Sequence, residues 1–292
     1  MEYVKIKAND GLALDAIISE VDNAKANVLI MHGMAEYKER YLPLVNKLND
    51  KGYNVIISDM RGHGKSVNTE YILGHLSTKE ELINDYYNVL TFIKLRHPNL
   101  DNYLFAHSMG TLNAREFLMT HDDEFKKVIL SGTVCYNPLV GLAVAIAKMK
   151  KAGKGKKGYS KILYFFSNAG SFKEDLSWLS YNEENLENYL NDPLCGFKFT
   201  NQASYVLFSL TKDLHKYALY ECKNKDLKIL SISGEDDRTT GGKKGLKDVK
   251  KSLNKIGYQN VEIKEYPHMK HEILMEKDNE MVFDDIIKFY EE

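Results

Sequence analysis

What most constrains this chain is a series of short, unbroken runs of β-branched and aliphatic residues. They are Asn27–Met31 (N-V-L-I-M), Asn54–Ser58 (N-V-I-I-S), Tyr103–Ala106 (Y-L-F-A) and Lys127–Ser131 (K-V-I-L-S); Leu227–Ser233 (L-K-I-L-S-I-S) and Val261–Tyr266 (V-E-I-K-E-Y) read as two further strands of the same sheet. A strand with one wet face alternates apolar and polar residues, whereas one covered on both faces does not. These runs therefore predict central strands. Helical patterns lie between them. Tyr41, Leu44, Val45 and Leu48 share one face of a helix closing at Gly52, and Thr78 with Glu81 forms a capping box. That box opens a helix to about His97, with Leu82, Tyr86, Val89 and Ile93 inward and Pro98 after its end. Leu246, Val249, Leu253 and Ile256 mark another helix, and Met281–Tyr290 the last. Alternating strands and helices predict an α/β fold, a mostly parallel sheet with helices on both faces. Tyr3–Lys7 and Leu12–Ser19, around Asn9-Asp10-Gly11, read as an added hairpin.

The rhythm breaks after Gly132 and resumes near Leu227, so residues 134–215 read as a helical insertion between two halves of one sheet, 1–133 and 216–292. The insertion holds an apolar stretch, Gly141–Met149, six lysines within Lys148–Lys157, and aromatics at Tyr159, Tyr164, Phe165, Phe166, Phe172 and Trp178.

With 40 basic and 41 acidic residues in 292, no net field draws the chain to nucleic acid, and no such partner is expected. Cys135, Cys195 and Cys222 are far apart and odd in number, which fits reduced thiols in a cytoplasmic protein. The start, M-E-Y-V-K-I-K, has no basic-then-apolar leader pattern, and no run of eighteen apolar residues would span a membrane. A soluble intracellular protein is the expectation.

Ala106-His107-Ser108-Met109-Gly110 ends one apolar run and begins a helical pattern, Leu112, Phe117 and Leu118, up to His121. A serine at so sharp a strand-to-helix turn is a nucleophile elbow. Its usual form is G-x-S-x-G, and alanine is the mildest replacement for the first glycine. In an open parallel sheet the residues just past the strand ends converge on one crevice. Two other ends carry what a serine needs: Asp237 in S-G-E-D-D (Ser233–Asp237), and His271 in P-H-M-K-H-E (Pro267–Glu272). Histidine, with an ordinary pKa of about 6.5, can take the serine proton and return it. Asp237 would fix its tautomer, with Asp236 and Glu235 as alternatives, and His268 as the alternative to His271. The Met109 N–H and, after the first central strand, the Met34 N–H of His32-Gly33-Met34 are the expected oxyanion donors. No metal or organic cofactor is needed for that chemistry.

Together these segments resemble the α/β-hydrolase superfamily, in the branch of monoacylglycerol lipases, lysophospholipases and serine-aminopeptidase-like hydrolases. The matching pieces are H-G-M-A-E (His32–Glu36), D-M-R-G-H-G-K-S (Asp59–Ser66), A-H-S-M-G (Ala106–Gly110), S-G-E-D-D (Ser233–Asp237) and K-H-E-I-L (Lys270–Leu274), in family order. Trp178–Asn182 with Asp192–Phe197 is similar to caps of bacterial lysophospholipase-like members. The resemblance implies the fold, a Ser108–Asp237–His271 triad, Met34 and Met109 as oxyanion donors, and 134–215 as a cap. It departs at Ala106, at Tyr37 where relatives often have histidine, and at Thr111 where glycine is common.

The implied activity is hydrolysis of a carboxylic ester, with a single-chain lipid as substrate beneath an aromatic cap. A cap rich in lysine would touch an anionic membrane surface transiently. Phe165, Phe166 and Trp178 would otherwise be the cap's own core. Competing readings are a peptidase, whose ammonium anchor would be Glu174, Asp175, Glu183 or Glu184, a small-ester carboxylesterase, acyl transfer, and a silent binding protein. Serine at the elbow excludes the aspartate-based dehalogenation seen on this fold.

Overall fold

In the computed structural model of the chain, which describes residues 1–153, 155–167 and 176–292, eight strands form one sheet. They are β1 (Glu2–Lys7), β2 (Ala13–Ser19), β3 (Ala26–Met31), β4 (Tyr53–Ser58), β5 (Asn102–His107), β6 (Lys127–Ser131), β7 (Lys228–Gly234) and β8 (Val261–Tyr266). The order is β1-β2-β4-β3-β5-β6-β7-β8, parallel from β4 to β8, with the β1–β2 hairpin added antiparallel at one edge. This is the α/β-hydrolase fold that the sequence resembles.

Successive residues of the buried strands feed two cores. Leu29 and Met31 of β3 join one with helices α2 (Lys79–Arg96), α3 (Met109–His121) and α8 (Gly242–Ile256). Val28 and Ile30 join the other with α1 (Leu42–Asp50) and α9 (Glu280–Glu291). That is why these strands are apolar throughout. At their start an asparagine ladder crosses the sheet. Asn54 Nδ2 donates to Asn27 Oδ1 (3.2 Å), and Asn27 Nδ2 to Asn102 Oδ1 (3.1 Å), each pair in register. A mutually bonded row of buried amides opposes a slipped register, which would leave them unpaired. The capping box at Thr78 and Glu81 forms, and α2 ends just before His97 and Pro98.

Among the described residues none between β6 and β7 is in a strand; α4 (Val140–Gly153), α5 (Lys161–Ser167), α6 (Glu183–Asn191) and α7 (Asn201–Asp213) occupy that stretch. α4 lies against α7. Val140, Ala143, Leu163, Phe199, Val206 and Phe208 of this layer share an apolar cluster with Met60, Leu76, Leu82, Met109 and Leu112 of the sheet-bearing part. Phe172, Glu174 and Asp175 lie outside the described residues. No helix among the described residues is long and apolar enough to cross a membrane.

Candidate active site

β5 runs Asn102–His107 and α3 begins at Met109, so Ser108 alone makes the turn, with φ 53° and ψ −120°. A left-handed φ on a residue with a Cβ costs free energy, of order 1–3 kcal/mol, and is held only where its surroundings fix it. Here Ser108 N–H donates to Ser131 O (2.9 Å), while Thr111 N–H (2.8 Å) and Oγ1 (2.7 Å) donate to Ser108 O. Gly110 is needed for close approach: a Cβ there would run into the carbonyl oxygens of Met31 and His32. Ala106 fits without a clash at its own place, fully buried on β5 opposite Met31 and Leu130. The first N–H groups of α3 have no acceptor within the helix, and its positive end faces the serine.

Ser108 lies 2.7 Å from His271 Nε2, and His271 Nδ1 lies 2.9 Å from Asp237 Oδ2. The residues come from the ends of β5, β7 and the loop after β8. Asp237 and His271 are both buried. Glu235, Asp236 and His268 are exposed, and Asp236 Oδ2 instead accepts from Tyr181 OH (3.0 Å). Thr239, which the sequence did not single out, completes the carboxylate. Its N–H and Oγ1 both donate to Asp237 Oδ1 at 2.8 Å, leaving Oδ2 for the imidazole. Burial alone would raise the Asp237 pKa, but His271 and Thr239 outweigh it and hold it below the usual carboxylate value. For His271, burial works to lower the pKa, and the Asp237 charge and hydrogen bond overcome it, so the net shift is upward.

The loop after β3 presses against the same serine. A Cβ on Gly33 would lie 2.5 Å from Glu36 Oε1 and 3.1 Å from Ser108 Cβ, so the loop packs tightly against both. The positive φ of this bend falls on Ala35 (φ 53°). His32 Nδ1 lies 2.8 Å from Gly33 O, and its Nε2 accepts from Met60 N–H (2.7 Å), tying this loop to the Asp59–Ser66 loop. Behind it sits a buried ion network. Glu36 accepts from Gly33 N–H (2.5 Å), Tyr41 OH (2.8 Å) and Arg40 Nη1 (2.8 Å). Arg40 also grips Glu272 (2.7 and 2.9 Å), and Asn185 of α6 donates to Glu272 (2.6 Å). Burial would raise the Glu272 pKa, but Arg40 and Asn185 bring it down to about 2. Met34 stands half-buried at the cavity rim and Met109 is buried at the head of α3.

Ser108 and His271 open into a small cavity beneath the helical layer. Its wall includes Met34 and, from the helical layer, Tyr164, Trp178, Tyr189, Phe197 and Phe199. Of the aromatics singled out in the sequence, Trp178 faces His271 with ring centroids 5.0 Å apart. Phe166 instead packs edge-on against Phe208, 6.4 Å between centroids, and Phe165 against Phe166. The His107 ring lies tilted beside His271 (4.8 Å between centroids), and burial pushes its pKa down to about 4, so it is neutral at physiological pH. Among the described residues no group of three His, Cys, Asp or Glu side chains is arranged to hold a metal ion.

Chemically, this arrangement can pass the Ser108 proton to His271 Nε2 as Oγ attacks an acyl carbon, then deliver it to the departing group. A water can repeat the sequence on the acyl-serine, and Asp237 stabilises the imidazolium that forms in each half.

The chain matches, over residues 22–278, the protein family described as "Serine aminopeptidase, S33". It is 23% identical to a "Probable lysophospholipase L2" of Haemophilus influenzae, over 95% of this chain and 87% of that protein. It is 25% identical to a "Monoacylglycerol lipase" of Mycolicibacterium smegmatis, over 89% of this chain and 85% of that one. Among solved structures, a thermostable carboxyl esterase from Bacillus coagulans superposes with a TM-score of 0.89 at 23% identity, covering 99% and 97% of the two chains.

Proposed function

The chain belongs to the serine aminopeptidase, S33, family of α/β-hydrolases, and we propose that it hydrolyses carboxylic esters of single-chain lipids, monoacylglycerols or lysophospholipids. The observation that carries this reading is the hydrogen-bonded line Ser108–His271–Asp237 at the floor of an aromatic cavity. In it Ser108 is the nucleophile, His271 the general acid–base, Asp237 its orienting carboxylate, and the Met34 and Met109 N–H groups the oxyanion donors. The helical layer 134–215 acts as the cap that shapes the acyl site. Relatives named as a lysophospholipase and a monoacylglycerol lipase support the lipid substrate.

A peptidase reading, favoured by the family's description, needs an acidic anchor for a substrate ammonium. Among the described residues, Glu183 and Glu184 are exposed and not part of the cavity wall, and the carboxylates that line it, Glu36 and Glu272, already share the Arg40 guanidinium; Glu174 and Asp175 lie outside the described residues. The ester reading therefore fits the described part of the wall better.

The test is hydrolysis of p-nitrophenyl esters from acetate to palmitate, beside Ser108→Ala. Expected is a Ser108-dependent rate with an optimum at long chains. A short-chain optimum would replace the lipid with a small ester, and no rate above the variant's background would end the ester reading and turn attention to aminoacyl arylamides.

Transient contact with an anionic membrane extends the proposal. Leu139 before α4, and Leu142 and Met149 on it, are exposed, and Lys148, Lys150, Lys151, Lys156 and Lys157 lie beside them in the chain. Sedimentation with anionic vesicles should carry down wild type but less of a variant with these lysines neutralised. Equal, weak sedimentation of both would remove the membrane from the scheme. The three cysteines are free thiols, the state a cytoplasmic location maintains.

A further inference from the structure

The helical layer meets the loops that carry His271 and Met34 through separate contacts. Beside His271, Lys270 Nζ donates to Ser177 O (2.5 Å), and Glu272 N–H donates to Leu179 O (2.8 Å). The loop after β3 is met by α6, where Asn185 and Tyr189 stand one turn apart on one face. Asn185 reaches Glu272, whereas Tyr189 OH donates to Ala35 O (3.0 Å). Gly196 N–H, a few residues past α6, donates to the same oxygen (2.9 Å). The Arg40 guanidinium lies over the Tyr189 ring, 4.9 Å from its centroid, and helps to fix the ring there.

Like Ser108, Ala35 is a non-glycine residue with a left-handed φ (53°). Such a backbone costs free energy and persists only where its surroundings hold it. For Ala35 the holding groups include two donors from the helical layer, both aimed at its carbonyl. The loop is held on its other side by Glu36, whose carboxylate accepts from Gly33 N–H (2.5 Å). Met34 stands between these two anchors. Its N–H, unlike that of Gly33, has no protein acceptor among the described residues. The direction of that N–H is therefore set from both ends, by Glu36 before it and by Tyr189 and Gly196 after it.

Resting on the reading of Met34 as an oxyanion donor in an ester hydrolase, we propose that Tyr189 is a positioning residue for the reaction. Its hydroxyl, with the Gly196 N–H, holds the Ala35 carbonyl so that the Met34 N–H points at the acyl oxygen. The helical layer then does more than shape the acyl site, because it completes the support of the oxyanion loop. Support of this kind acts in the transition state, where charge develops on that oxygen, and hardly at all on the bound substrate.

The experiment compares wild type, Tyr189→Phe and Tyr37→Phe on one p-nitrophenyl ester and on an alkyl trifluoromethyl ketone of the same chain length. Ser108 Oγ adds to the ketone carbon, its proton passes to His271, and the carbonyl π pair becomes the oxyanion. Ketone affinity thus reads the donors without any leaving group. Tyr189→Phe keeps the ring beneath Arg40 and removes only the hydroxyl. Expected is a fall of about tenfold in kcat, with KM within about twofold and ketone affinity weakened by about the same factor as kcat. The pH midpoint of kcat/KM should stay where wild type has it, since His271 keeps its own partners. Tyr37 OH donates to Asp192 Oδ2 (2.6 Å) and so joins the same loop to the same layer without touching Ala35 O. Tyr37→Phe should therefore keep kcat within about twofold.

Unchanged ketone affinity in Tyr189→Phe, a rise in KM alone or a moved pH midpoint would overturn the proposal. So would an equal loss of kcat in Tyr37→Phe, which would reduce Tyr189 to a general tether. Absence of Ser108-dependent ester turnover in wild type would strike the ester reading alone, and the ketone comparison would still decide the role of Tyr189.

Discussion

The cavity has two halves built in different ways. Its floor is set by strand ends: Ser108 after β5, Asp237 after β7 and His271 after β8, each one loop away from backbone fixed in a parallel sheet. Its walls come from the helical layer, where Trp178, Phe197 and Phe199 are carried by turns and short connections. The wall is tied to the floor by a few polar contacts: Glu276 to residues 180–182, Asn185 to Glu272, and Tyr189 OH to Ala35 O (3.0 Å). The difference teaches that the triad and the wall have separate supports. Removing a floor group should alter kcat while leaving stability nearly intact; loosening the wall should change stability and substrate binding while the triad remains assembled.

The largest separation of the two should come from Asp237→Asn. The amide cannot hold His271 in the required tautomer or stabilise its charge, so kcat should fall about ten-thousand-fold, with a melting temperature near that of wild type. A comparable loss of stability would mean that the floor depends on the triad for its fold.

Next is pH. His271 must be neutral to accept the serine proton, and Asp237 raises its pKa above the ordinary value. As pH falls through that raised pKa the imidazole becomes protonated, so kcat/KM should drop about tenfold per unit below a midpoint above about 6.5. Asp237 stays ionised throughout, since its own pKa is held low. A midpoint below 6.5 would show that desolvation outweighs the carboxylate.

Glu276→Ala addresses the wall. It leaves Ser180 Oγ and the N–H groups of Tyr181 and Lys270 without their acceptor, while Asn182 N–H keeps Ser180 Oγ (2.9 Å). Denaturant unfolding should report a loss of about 2–3 kcal/mol, with KM raised more than kcat is lowered. A kcat loss like that of Asp237→Asn would erase the distinction between the halves.

The mildest change is Phe197→Ala, which trims a half-buried wall ring. Long-chain esters should lose about threefold to tenfold in kcat/KM, equivalent to roughly one kcal/mol of apolar contact, while acetate is unaffected. Equal loss on acetate would place Phe197 with the floor.

Much of the floor was legible because its signals are local. The unbroken apolar runs, the capping box at Thr78 and the small residues about Ser108 each express a constraint felt within a few residues. Thr239 could have been found the same way: an aspartate two residues ahead of a threonine is a side-chain-capped turn, and Asp237 does accept from Thr239 N–H. The choice among Glu235, Asp236 and Asp237 was open in sequence, since three adjacent acids share composition and differ only in direction. In the fold Asp237 turns inward to His271 and Asp236 outward to Tyr181.

The wall was scarcely legible. Phe165, Phe166 and Trp178 look alike in an aromatic stretch, yet only Trp178 reaches the cavity, because the Lys270 and Glu272 contacts bring its segment there. Glu36 and Arg40 are spaced as a helical ion pair, but the second carboxylate that Arg40 holds, Glu272, lies 232 residues from it. By itself, the sequence determined the parallel sheet, the elbow and the three strand ends from which a serine site can be assembled, since periodicity and turn chemistry act over short distances. Only the tertiary structure decided which acid faces the histidine and which ring forms the wall, because burial and direction belong to contacts between distant segments.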